Sequence, residues 1–147
     1  MTPTLILIHS LLRWAVLIVM ITVTATMAFR YAKAATWTST DRAAALAFTI
    51  LLDTQLLVGF VLYGVSPITR GAMKDMATAV HEPSVRFFVV EHPTIMVLSV
   101  LFAHLGSVFA KKAPTDRVKF GRATAFFALS TALMLWGIPW FRLTAAQ

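Results

Sequence analysis

The chain has 147 residues, 59% of them hydrophobic and 13% charged, with no cysteine and a formal net charge of +7. Soluble domains carry about 25% charged residues, so this composition, with a mean hydropathy of +0.78, indicates a single-domain integral membrane protein. The lack of cysteine excludes disulfides, thiolate metal sites and thiol catalysis. The basic residues fall in the gaps between apolar runs, a pattern that sets membrane orientation and gives no reason to expect nucleic acid as a partner.

The first apolar run covers about 5–29, enough to cross a hydrocarbon core that needs about 20 helical residues. No positive segment precedes it and no A-x-A-like site follows, so it reads as a transmembrane helix and not as a signal peptide. Within HSLLRW, His9 and Arg13 stand four apart and share one helical face. Thr38, Ser39, Thr40 and Asp41 offer N-caps for a second helix over about 43–65, which carries Asp53 and Gln55 near its middle. Ser66-Pro67 ends that helix.

The connection over about 66–91 places Ile68, Met73, Met76, Val80, Val85, Phe88 and Val89 at spacings suited to short amphipathic helices on the membrane surface. Pro83 is expected to separate two of them, and Pro93 to open a third spanning helix over about 93–110. The basic stretch KKAPTDRVKFGR leads to a fourth over about 123–143, with Trp136 and Trp140 as interfacial anchors. The expected fold is all-α: an integral membrane four-helix bundle with an amphipathic interfacial segment between helices two and three.

Eight basic residues (Arg30, Lys33, Arg42, Lys111, Lys112, Arg117, Lys119 and Arg122) sit in or beside the first and third connections. The opposite side holds Arg70, Lys74, Arg86 and Arg142, partly offset by Asp75, Glu82 and Glu91. The positive-inside rule then puts both termini and the long connection outside, which for a bacterial inner membrane is the periplasmic face.

Depth sorts the histidines. Helices one and three enter from the same face, so His9 and His92 lie at similar depth, their offset amounting to roughly 6–7 Å along the helix axes. Two neutral imidazoles meeting from different helices are what a b-type haem needs as axial ligands. Met96, Ser99, Ala103, Gly106 and Ala110 follow His92 at helical spacing, a mostly small-residue stripe that suits either a flat macrocycle or close helix packing. His104 lies roughly 18 Å deeper than His92. Asp53 falls near that depth and Arg13 slightly above, so the three can meet in the membrane interior. They can form a buried ion-pair network, a proton path, or, through His104, a second metal centre. His81 reads as solvent-exposed. Arg13 and Arg86 suit haem propionates, with Asp53 and Glu91 as their competing partners.

LILIHSLLRWAVL, TQLLVGFVLYGVSP and RFFVVEHP together resemble small four-helix bacterial membrane proteins labelled cytochrome b-like. The resemblance covers most of the chain and implies a haem-binding bundle with His9 and His92 at the matching motif positions. It also implies a histidine near position 53, where this chain has Asp53, so a second haem at His104 would lack its partner.

The leading expectation is thus a membrane protein holding one haem b (two as the alternative) and passing electrons, with quinol and a partner at the outer face. Competing expectations are a non-catalytic subunit of a larger membrane complex or homo-oligomer, and a proton or metal transporter using Asp53 and His104. Few helices and no paired Gly/Pro breaks weigh against the last. No Gly-rich phosphate loop, G-x-S-x-G or H-E-x-x-H is present.

Overall fold

The computed structural model describes residues 2–141; Met1 and residues 142–147, with Arg142 and the far end of the expected fourth helix, lie outside the described residues. All regular structure among the described residues is helical, and four helices are long and apolar enough to cross a membrane. They are α1 (Thr2–Ala32), α2 (Ser39–Val65), a third that runs from α5 (Pro83–Arg86) through a π-helical turn (Phe87–Glu91) into α6 (His92–Lys111), and α7 (Asp116–Gly137). Two short helices, α3 (Pro67–Ala72) and α4 (Met76–Ala79), occupy the connection between the second and third spans.

The ends follow local chemistry. Thr38 caps α2 in a capping box, its hydroxyl accepting from the Asp41 backbone N–H while Asp41 accepts from the Thr38 N–H at 2.8 Å. Asp41 also holds Arg30 at 2.8 Å, joining the end of α1 to the start of α2. Pro67 and Pro83 each open a helix, where a missing N–H costs nothing.

The spans pack in a closed ring, α1 on α2, α2 on α6, α6 on α7 and α7 on α1. The interior is filled by Val16, Met20, Met27, Phe48, Phe120, Phe127 and Met134, with Phe48 stacked on Phe127 at 4.2 Å. Large apolar residues such as Ile18, Leu57 and Trp136 point outward, as suits a bundle in lipid. Lipid is as apolar as leucine, so close backbone approach and interhelical hydrogen bonds must hold such helices together. The α6–α7 seam has both. Ser99 donates to the Ser130 carbonyl and Ser130 to the Ser99 carbonyl, each at 2.8 Å, and Gly106 lies against Phe126 and Phe127.

That seam settles the small-residue stripe. Ser99, Ala103, Gly106 and Ala110 are buried, and the stripe serves helix packing, with Met96 alone of the five lining the cavity described below. The third span also starts ten residues earlier than the proline at 93 suggested, at Pro83. Pro93 is absorbed by the π turn. A proline at 93 denies the Val89 carbonyl its usual donor four residues on, and the Tyr63 hydroxyl from α2 donates to that carbonyl at 3.0 Å. Tyr63→Phe should therefore lower stability by about 0.5–1.5 kcal/mol, the net worth of one hydrogen bond. Thermal unfolding followed by far-UV circular dichroism in detergent measures it; an unchanged midpoint would show that the hydroxyl is dispensable.

Candidate functional site

A cavity of about 310 Å³ lies among the four spans, at the end of the bundle that holds the starts of α1 and α6. Its walls are mainly apolar (Leu52, Leu56, Phe60, Phe88, Met96, Val100, Met134 and Ile138), and its polar lining includes His9, Arg13, Gln55, Tyr63 and His92. The volume falls at the lower end of the range for small-molecule and cofactor sites.

His9 on α1 and His92 at the start of α6 face each other across this space, ring centroids 6.2 Å apart and planes inclined at 79°. The expectation that they would lie at matching depth is met. His92 Nδ1 lies 2.7 Å from the Gly137 carbonyl oxygen. A carbonyl only accepts, so Nδ1 carries the proton and Nε2 keeps its lone pair. Gly137 is the last residue of α7, where helix carbonyls lack partners within the helix. The glycine leaves room for its neighbours on α6: a Cβ there would press on the Met96 methyl and on Ile95 Cγ2.

His9 is held from α2. The Gln55 amide donates to the His9 backbone carbonyl at 3.0 Å and approaches His9 Nε2 at 3.4 Å, the long limit of a hydrogen bond. Gly59, one turn on, gives the ring its space: a Cβ would stand 3.2 Å from His9 Cε1. His9 Nδ1 and Gln55 Oε1 are buried with no hydrogen-bond partner among the described residues. Such groups are costly in an apolar interior.

Arg13 is the third member. It is 8% exposed and lines the cavity one turn below His9. Its guanidinium lies 4.9 Å from the Trp14 ring centroid, and none of the ion pairs among the described residues includes it.

The other expected members lie elsewhere. The network of Arg13, Asp53 and His104 is not formed. His104 Nε2 meets Asp53 at 2.9 Å, but the pair is on the outer surface of the α2–α6 seam, with side chains 50% and 39% exposed. Helical phase explains the correction: Gln55 points inward, so Asp53, two residues earlier and roughly 200° away, cannot. Arg86 does not reach the cavity; it pairs with Glu91 at 2.7 Å and donates to the Val80 carbonyl. His81 is exposed. Phe87, 5.8 Å from His92, joins Phe88 and Phe141 in an aromatic cluster beside the site.

The donor set fits a macrocycle better than a bare ion. Among the described residues no three His, Cys, Asp or Glu side chains gather to hold a metal. His9 and His92, 6.2 Å apart, are the two side chains that would hold such a group. A ligating imidazole typically donates its other N–H to a carbonyl or carboxylate, as His92 does. No protein-family model matches the chain, and no curated protein and no solved structure matches it. Geometry alone carries the functional reading.

Proposed function

We propose that this is a membrane b-type haem protein that passes electrons, with His9 and His92 as the residues that would hold the haem. The observation that carries the reading is the 6.2 Å opposition of the two imidazoles across an apolar cavity. Haem supplies a one-electron couple when bound. The residues supply the rest. The Gly137 carbonyl fixes the His92 tautomer, Gln55 and Gly59 place His9, and Arg13 provides positive charge for a propionate. The apolar walls keep water from the couple.

The cavity sits at the end of the bundle opposite the basic connections bearing Lys33, Lys111 and Lys112. The positive-inside rule supports a site near the outer face of a bacterial inner membrane, with both termini outside. A quinol would reach it from the bilayer, and a partner from the aqueous side beside Phe87 and Phe88.

The test is a reduced-minus-oxidised spectrum of protein purified from haem-replete cells. Alpha and Soret bands of b type, with one haem per chain, are expected; a colourless preparation overturns the reading. A second reading, a subunit of a larger membrane complex, would cover the outward Asp53–His104 pair with another polypeptide. A cofactor-free chain in stoichiometric complex with other polypeptides would support that reading instead.

A further inference from the structure

The Asp53–His104 pair has no part in the haem reading, and its position needs a separate explanation. Asp53 lies midway along α2, a helix of 27 residues, and His104 lies well inside α6. Ionisable side chains at such depth normally face the bundle interior or a water-filled cavity, because exposure to hydrocarbon is costly. Here both side chains point out of the bundle.

The pair leaves bonding capacity unused. His104 Nε2 spans both Asp53 oxygens, at 2.9 and 3.1 Å, while His104 Nδ1 makes no hydrogen bond with any described residue. A carboxylate accepts about four hydrogen bonds, so acceptor sites remain beside a free ring nitrogen. A face that carries donor and acceptor side by side complements itself under two-fold rotation. The flanking residues at helical spacing, Ile50 and Leu57 on α2 and Leu101 and Val108 on α6, are exposed and apolar. They can pack against the same residues of another copy.

We infer that two copies of this chain associate in the bilayer through the α2–α6 face, with His104 as the imidazolium: its Nε2–H serves Asp53 of its own copy and its Nδ1–H donates to Asp53 of the other. The contact takes both polar groups out of lipid and needs no other polypeptide. It is independent of whether haem binds.

The absence of native cysteine makes the test clean. The full chain carrying Leu57→Cys, one turn from Asp53, is reconstituted in phosphatidylethanolamine–phosphatidylglycerol vesicles and treated with a short bis-maleimide. A cross-linked dimer is expected, and none from Ile18→Cys on α1. Adding Asp53→Leu with His104→Leu should lower the cross-linked fraction roughly tenfold, the scale of losing two interhelical hydrogen bonds. The exchange Asp53→His with His104→Asp should restore it, which separates lost association from lost folding. A monomer at every protein-to-lipid ratio, a cross-link undiminished by the double leucine variant, or failure of the exchange to restore it overturns the inference. So does cross-linking of Leu57→Cys to a different co-purifying polypeptide.

Discussion

His92→Ala should strip the protein of haem while leaving its four helices folded. The imidazole gives one of only two candidate metal bonds, and its Nδ1–H anchors the ring to the end of α7. Changing an outer-shell partner costs 10–100-fold in metal affinity, so removing the ligand itself should cost more than about 100-fold. The reduced-minus-oxidised bands should vanish, and far-UV circular dichroism should change little, because the ring's one hydrogen bond is small against four packed spans. His9→Ala should behave alike. His81→Ala, exposed and remote from the cavity, should keep the full spectrum. Bands that survive in His92→Ala but fade in His81→Ala would move the site out of the cavity altogether.

The second large effect belongs to Gly106. A Cβ at this position would stand 2.6 Å from the Phe126 Cβ and 3.2 Å from the Phe127 ring. The Phe126 Cβ is bonded directly to the α7 backbone and cannot swing aside, so relief requires α6 and α7 to move apart. That separation would strain the reciprocal Ser99–Ser130 bonds in the same seam. Overpacking of this kind costs about 1–3 kcal/mol for one added carbon, so Gly106→Ala should fall in that range and Gly106→Val above it. Gly64→Ala is the matched control. Nothing lies within 4 Å of a Cβ there, and a helical glycine gains from alanine by roughly 0.5–1 kcal/mol. Unfolding in detergent should rank Gly64→Ala at or above the native protein and Gly106→Val far below it. Equal midpoints would mean that the seam is not tightly packed.

Much of this architecture could be read from the sequence, for a simple reason. Apolar runs and charged gaps report which segments cross the membrane and in which direction, and direction fixes depth. Depth alone brought His9 and His92 together. What depth does not report is the side of a helix that a residue occupies relative to helices not yet placed. Arg13, Asp53 and His104 share a level, yet Arg13 turns into the cavity while the other two face outward. Gln55 stood out as a polar residue in an apolar run, but nothing in one sequence says that it, and not Asp53, points inward. Gly59 and Tyr63 were lost among ordinary helix residues, because a ring's need for space and a carbonyl's need for a donor appear only when two helices are side by side. The small-residue stripe had two physical meanings, and only the partner helix could decide between them. The start of the third span was misplaced because Pro83 and Pro93 both look like boundaries.

The π turn at Phe87–Glu91 has a consequence for how the site can vary. It adds one residue to a helical turn, which shifts everything before it by roughly 100° of azimuth relative to everything after. The half from His92 onward keeps its register through its contacts with α7. The rim half, with Arg86 and Phe87, has its own phase. Insertions, deletions or charge changes before the turn can therefore re-aim Arg86 and Phe87 without rotating His92. The helix acts as two independently adjustable pieces joined by a clutch.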